Sequence, residues 1–526
     1  MHHQKKFFET PFFFLIIGIF PVISLYGHNV TEMNASTILR PLLVCAVLAG
    51  SIFLITLAAL RSPHQAAFIT GVSLILLLSF GHVYSLIKSE QIAGIIVGRR
   101  RYLLLAYALC LLLSIFFALR FRKQLVNLTV IFNVFALVLL VVPTYQIIDY
   151  HIRNAASLFR QSGQRVLASP SEEARGSTQN PDVYYIILDM YTRHDYLERD
   201  YAYDNQPFLN TLTSMGFYVA TCARSNYSQT QVSLTSSLNM DYIENLGNFP
   251  ENSSDRTGLN ERIEDSAVRG FLESRGYKTV SLSAYEPLRI ESAGVYISTD
   301  PQDLSNASIV PVINPFEVML IKGSILELLT SHPTLSQLQV IRDINYPYAT
   351  HIRQQLFILD ELTRIPDIPG PKFVFVHIQV PHPPFVFGAN GEIVENPPPF
   401  PDDARNPTPK ERNSQLYRDQ VAFINQKILE TLPEIVEKSD NPPVIVLQGD
   451  HGFTAENRFA ILSAYYLPDG QYQGFYPNIS PVNSFRLIFN QLFDTSYDVL
   501  PDQTYYSSHK LPYRYTPVEE TSDLCK

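Results

Sequence analysis

Five long apolar runs fill the first 150 residues of this chain, at positions 12–26, 38–60, 67–87, 102–119 and 125–148. A helix needs ~20 apolar residues to cross a bilayer, and inside lipid only helices and closed barrels satisfy their own backbone polar groups. The runs therefore predict a transmembrane domain of five helices over residues 1–150. Lys5 and Lys6 ahead of the first run would also suit a cleavable signal peptide, but no clear small-residue cleavage site follows and four more runs do, so a retained anchor is expected. An odd number of spans sends the remainder to the side opposite the N-terminus. Loop charge hardly orients the set: Lys5, Lys6, Arg61, Arg120, Arg122 and Lys123 fall on one side, Arg40, Lys88, Arg99, Arg100 and Arg101 on the other.

Charge separates the two parts of the chain. Residues 1–150 hold 11 Lys and Arg against 4 Asp and Glu, and removing these from the totals of 40 and 49 leaves 29 against 45 beyond residue 150. That acidic part offers no basic stripe to a phosphate backbone, so nucleic acid is not expected as a partner. Its 376 residues suffice for one large core or a core with a small lobe. Of four cysteines, Cys45 and Cys110 lie in the apolar runs, and Cys222 and Cys525 are too few for a disulfide framework or a Cys-rich zinc site.

Residues 151–181 read as a linker, polar from Gln161 onward. The strand VYYIIL (183–188) follows and ends at Asp189; a short helix over 206–214 leads into GFYVA. Further strands are expected at 277–283, 372–380, 443–449 and 464–468, and Leu416, Val421, Ile424, Ile428 and Ile435 recur at helical spacing between the last two long ones. Strands alternating with helices predict an α/β domain over 182–506, with a mainly parallel sheet covered on both faces. Residues 381–409 are too proline-rich for helix or central strand and read as a loop over one end of the sheet. Residues 507–526 read as a polar, loosely held tail.

Three fragments carry chemistry: LDMYTR with Asp189, SNYSQTQVSLTSSLNM with Thr230, and LQGDHGF with Asp450 and His451. Two carboxylates, an imidazole and a hydroxyl beside a divalent cation are the apparatus of phosphoryl or sulfuryl transfer. Asp189 alone could equally cap the segment that follows. Asp450 and His451, between Gly449 and Gly452, can point two ligands the same way, although an Asx turn with a surface histidine has the same pattern. Thr230 shares its stretch with Ser225, Ser228, Ser233, Thr235, Ser236 and Ser237, any of which could be a cap or turn hydroxyl. In HIQVPH, His377 reads as a structural hydrogen-bonding residue at a strand end and His382 as the one placed to touch a substrate or a second metal.

These residues carry a resemblance. The soluble part resembles the alkaline phosphatase and sulfatase superfamily, and the whole chain resembles its membrane-anchored branch, the lipoteichoic acid synthases and lipid A phosphoethanolamine transferases. The resemblance implies five spans followed by an extracytoplasmic alkaline-phosphatase-like (sulfatase-like) catalytic domain, in a bacterial inner membrane. It implies that Asp189, Thr230, Asp450 and His451 bind a divalent metal, Zn or Mn, that Thr230 is the nucleophile, and that His382, second histidine of an H-x4-H segment, approaches the phosphate. The implied partners are a membrane lipid or lipid-linked phosphoryl donor and a cell-envelope glycan or lipid acceptor; water as acceptor would make the enzyme a phosphate or sulfate ester hydrolase. Two departures stand out. The C-x-P-x-R or S-x-P-x-R motif of formylglycine sulfatases is absent, and where the transferases carry a later histidine after the Asp-His pair this chain has Glu456, Asn457 and Arg458. A noncatalytic membrane-anchored binding protein that kept the fold is the reading from another class.

Overall fold

The computed structural model describes residues 9–30, 35–88, 91–92, 95–96, 99–161, 180–299, 313–330, 334–335, 341, 344, 348–394, 410–519 and 525. Of the linker expected over 151–181, residues 151–161 instead continue the last apolar helix, and residues 162–179, like the second half of the proline-rich loop, lie outside the described residues. Contacts divide the chain into two compact units, one of Met1–Ser162 with Val310–Pro347, the other of Gly163–Ile309 with Tyr348–Lys526.

The first unit is helical. Its five apolar helices are α1 (Phe13–His28), α2 (Leu39–Leu60), α3 (Pro63–Ile87), α4 (Arg100–Arg120) and α5 (Arg122–Gln161). The last four are long and apolar enough to cross a membrane, whereas α1 has only 16 residues. Against lipid, apolar surface gives no drive for helix association, so close approach through small residues has to supply it. A Cβ on Gly18 would come within 2.9 Å of the Ala49 side chain, and one on Gly27 within 3.0 Å of the Pro143 carbonyl, so α1 sits tight against α2 and α5. Buried Asn133 of α5 fixes where α1 begins: its Oδ1 accepts from the Phe12 and Phe13 amides at 3.2 and 3.0 Å. These are donors that a helix N-terminus otherwise leaves unpaired. Leu43, Val47, Leu105, Leu109, Val138 and Val142 stay exposed, as a lipid-facing surface requires.

The second unit is built on a seven-stranded sheet. Its strands in chain order are β1 (Val183–Leu188), β2 (Tyr218–Val219), β3 (Lys278–Ser283), β4 (Val295–Tyr296), β5 (Lys372–Ile378), β6 (Val444–Gly449) and β7 (Ser463–Tyr466), and across the sheet they run β2–β7–β6–β1–β5–β3–β4. The strands from β6 to β4 are mutually parallel, and β7 is antiparallel to both its neighbours. Every residue of β1, β5 and β6 is buried, so successive side chains meet cover on opposite faces. One face packs Val183, Tyr185 and Ile187 with Phe373, Phe375, Val444 and Val446 against Leu234 and Leu238 of α6 (Thr230–Asn239) and Phe485 and Ile488 of a helix at Pro481–Leu492. The helix expected from the apolar spacing after the proline-rich loop occupies Lys410–Lys438, and the short helix occupies Gln206–Ser214.

The structure corrects two expectations. The stretch from Ser507 onward is not a loose tail: Tyr505–Ser508 (β8) and Leu511–Pro517 (β9) pair as an antiparallel hairpin, with Tyr513 buried. Beyond it Cys525 is disulfide-bonded to Cys222, 303 residues earlier, so the two cysteines judged too few for a framework form a single bridge. The remaining pair, Cys45 and Cys110, are free thiols. A thiol reagent applied to the denatured, unreduced protein should therefore modify two cysteines, and four after reduction; four without reduction would remove the bridge.

Candidate metal centre

Register places the carboxylates. Leu188 of β1 pairs with Gly449 of β6 and with Ile378 of β5, so the residues after β1 and β6, Asp189 and Asp450, leave the same sheet end on adjacent strands. The Asp189 amide donates to the Ile378 carbonyl at 3.0 Å. Both glycines beside the Asp-His pair are required by close approach: a Cβ on Gly449 would lie 2.6 Å from the Tyr191 carbonyl, and one on Gly452 2.0 Å from that of Asn457.

Asp450 Oδ1 accepts from the amides of Met190 and His451 at 3.0 and 2.9 Å, which fixes the carboxylate. His451 Nδ1 lies 3.0 Å from the Gly452 carbonyl. A carbonyl only accepts, so Nδ1 carries the proton and Nε2 keeps its lone pair. That Nε2 is 3.2 Å from Thr230 Oγ1. Ligand atoms of Asp189, Asp450 and His451 lie within 4.8 Å of one another, and all three residues are buried. Thr230 is partly exposed and opens α6, where helix amides favour negative charge. Of the neighbouring hydroxyls, Ser233 donates to the Asp450 carbonyl at 2.9 Å, and Ser228 exchanges bonds of 3.1 and 3.2 Å with the backbone of Ser507.

The C-terminal hairpin holds the loop before Thr230. Gln229 Nε2 donates to the Ser507 carbonyl and hydroxyl at 3.0 and 2.8 Å, and the Tyr505 amide donates to the Asn226 carbonyl at 2.8 Å. Arg458 ties this loop to the loop after β6, donating from Nε to the Ser228 carbonyl at 2.7 Å and from Nη1 to that of Gly452 at 3.2 Å. His377 is fully buried with Nε2 3.3 Å from Asp189 Oδ2. His382 lies in the loop that follows, with Nδ1 against the Pro383 carbonyl. That loop is held by Gln420, whose Oε1 accepts from the Val386 amide at 2.9 Å and whose Nε2 donates to the His382 carbonyl at 3.2 Å.

Sequence reasoning missed His351, on α8 if the helix at Pro315–Gly323 is taken as α7 and that at Ala349–Leu362 as α8. Its Nε2 is buried without a hydrogen-bond partner although part of the residue reaches the surface, and burial, reinforced by His382, pushes its pKa down to about 3. A lone histidine in an amphipathic helix gave no signal.

Electrostatics fit a cation. Burial alone would raise both carboxylates. At Asp189 the burial effect is outweighed by His382, His377 and His451, which hold it well below the usual carboxylate range. At Asp450 burial and then the Asp189 charge act together and push it well above. Burial, then Arg458, hold His451 well below the usual imidazole value and hence neutral. Asp189 Oδ1 and Asp450 Oδ2 are buried with no hydrogen-bond partner. Two such oxygens and a neutral imidazole suit a divalent ion, which would supply the missing positive charge.

The fold and this site define an α/β domain with an Asp-Asp-His cluster that could hold a cation and an adjacent threonine, attached to apolar helices. No family model and no curated protein matches the chain. Among solved structures it is similar to the C-terminal periplasmic domain of EcEptC from Escherichia coli in complex with Zn, at 11% identity and a TM-score of 0.41, covering 66% of this chain and 94% of that one. It is similar also to the integral membrane lipooligosaccharide phosphoethanolamine transferase A from Neisseria meningitidis, at 11% identity and 0.38, covering 91% and 95%. A third is the phosphonate monoester hydrolase of Agrobacterium radiobacter, at 12% identity and 0.35, covering 62% and 80%.

The Asp450 and His451 shifts have opposite pH signatures. A carboxylate whose folded pKa is raised costs stability as pH climbs above ~3.9, while an imidazole whose folded pKa is lowered costs stability as pH falls below ~6.5. Metal-free protein should therefore lose thermal stability from mildly acidic toward alkaline pH through Asp450, and Asp450→Asn should flatten that fall. Added Zn or Mn should raise the wild-type Tm more at roughly pH 8 than at roughly pH 5. An unchanged alkaline slope in metal-free Asp450→Asn would reject the assignment.

Proposed function

We propose that this chain is a metal-dependent, five-span membrane enzyme whose extracytoplasmic domain transfers a phosphoryl-containing group from a lipid-linked donor, through Thr230, to a cell-envelope acceptor. The observation that carries this reading is the Thr230 hydroxyl, at a helix N-terminus and 3.2 Å from a neutral imidazole nitrogen, beside two buried carboxylates with unpaired oxygens. Asp189, Asp450, His451 and Thr230 would hold the ion, Zn or Mn, with mixed ligation that suits either. When bound, it lowers the pKa of the hydroxyl and offsets charge on the phosphoryl oxygens.

Thr230 Oγ1 releases its proton to solvent and bonds to phosphorus as the bond to the donor's leaving oxygen breaks. His382 gives that oxygen a proton. In the second half, His382 takes the proton of an acceptor hydroxyl as it attacks the phosphothreonine, and Thr230 leaves and is reprotonated. Ser233 positions the Asp450 backbone and Arg458 spans the nucleophile and metal loops; neither reacts. The apolar helices support a lipid donor and so a transferase.

Intact-mass analysis of the full chain in micelles with phospholipids should reveal a covalent adduct on the wild type that Thr230→Ala abolishes and Thr230→Ser retains in part. Ser233→Ala loses one hydrogen bond, worth ~1 kcal/mol, so its turnover should drop no more than about fivefold. An adduct that persists in Thr230→Ala, or maps to Ser228 or Ser233, would refute the mechanism. Free headgroup phosphate released without an acceptor would assign the hydrolase.

A further inference from the structure

The first unit contains a segment from the middle of the chain. After residue 309 the chain leaves the sheet unit, joins the apolar helices over 310–347, and returns at Tyr348 directly ahead of α8. Within this segment α7 (Pro315–Gly323) has a capping box: the Asn314 side chain accepts from the Glu317 amide at 2.9 Å and Glu317 accepts from the Asn314 amide at 3.1 Å. A turn at Glu327–Thr330 follows.

Four of the apolar helices hold this segment. Glu317 pairs with Arg40 at the start of α2, and Glu327 pairs with Arg100 at the start of α4, at 2.5 Å. Phe316 is fully buried with Val22, Tyr26 and Val30 at the end of α1. On α3, Gly81 has no room for a Cβ, which would meet the Lys322 carbonyl at 1.8 Å, and the Ile325 amide donates to the Leu77 carbonyl at 2.7 Å. The end of α1, the starts of α2 and α4, and the end of α3 share one side of an antiparallel bundle, which is also the side where α5 ends and the chain continues to the sheet unit. Leu77 precedes the last residue of α3 by ten positions, ~15 Å at 1.5 Å per residue. The contact thus lies well inside a helix whose 25 residues only slightly exceed the ~20 that cross a bilayer.

On its free side the segment exposes Met319, Leu326 and Leu329, at 41, 47 and 44%. Residues 315–330 are too few to cross a bilayer, and their exposed apolar side chains match the exposed Leu43, Val44, Leu104 and Leu105, which lie within a turn or so of Arg40 and Arg100 in the spans. We propose that residues 315–330 form a re-entrant wedge in the leaflet on the domain's side, with Met319, Leu326 and Leu329 among the acyl chains and the two ion pairs at the headgroup boundary. The partner is bilayer lipid. The wedge gives the sheet unit a second membrane attachment besides its linker, independent of any chemistry at Thr230.

The test uses the full chain with Cys45→Ala and Cys110→Ala, single cysteines at 319, 326 and 329 carrying a small fluorophore, and phosphatidylcholine vesicles with or without acyl-chain bromine. Bromolipid should quench these positions several-fold more than a probe at exposed Asn210, and aqueous iodide should quench Asn210 more. Iodide quenching at 319, 326 and 329 equal to that at Asn210, with none by bromolipid, would overturn the wedge. A protease site placed in the 163–179 linker gives a second measurement. The cut sheet unit should stay on the vesicles through a carbonate wash, and Glu317→Lys with Glu327→Lys should release it; release of the cut unmutated chain would overturn the proposal.

Discussion

Two carboxylates at the same end of neighbouring parallel strands govern the chemistry of the sheet unit. The pairing of Leu188 with Gly449 leaves Asp189 and Asp450 no alternative but to share a buried space. Burial and the Asp189 charge push Asp450 well above the usual carboxylate range, so the pair resists carrying two charges without a cation. The three neighbouring histidines that lower Asp189, together with the backbone amides on Asp450 Oδ1, make the site tolerable to fold while leaving one oxygen of each carboxylate unsatisfied. The desolvation that makes the empty cluster costly is what makes a cation's charge effective there.

Around this cluster the fold supplies restraint rather than reactivity. Thr230 lies at the start of a helix packed on the sheet, and its loop is tied to the hairpin through Ser507 and to the loop after β6 through Arg458. Arg458, its guanidinium bonded to the Ser228 and Gly452 carbonyls, braces the two loops against each other.

How much of this was legible follows from the range of the forces involved. Apolar runs and buried strands are local patterns, so the helices, the strands expected at 183–188, 372–380 and 443–449 (observed to within two residues), and the positions of Asp189, Asp450 and His451 at strand ends could be read directly. The meeting of Thr230 with His451 could be read only through a resemblance, since nothing local distinguishes Thr230 from six neighbouring hydroxyls. The hairpin at 505–517, the Cys222–Cys525 bridge and the departure of 310–347 to the apolar helices are long-range pairings with weak local signals. YYSS and LPYRYTP alternate poorly between apolar and polar, and PFEVMLIKG reads as an ordinary short amphipathic helix until Arg40 is seen opposite Glu317 and Arg100 opposite Glu327 of the turn that follows.

The bonds from Gln229 to Ser507 span 278 residues. Their consequence lies in the order of synthesis. A growing chain that has emerged as far as His451 already owns every proposed ligand and the proposed nucleophile, yet the loop before Thr230 still lacks its tie to Arg458, and its ties to β8 wait for residues more than fifty positions later. The full bracing of the proposed site is therefore among the last features the polypeptide acquires, and a molecule halted before β8 would carry the parts of the site without all of their ties.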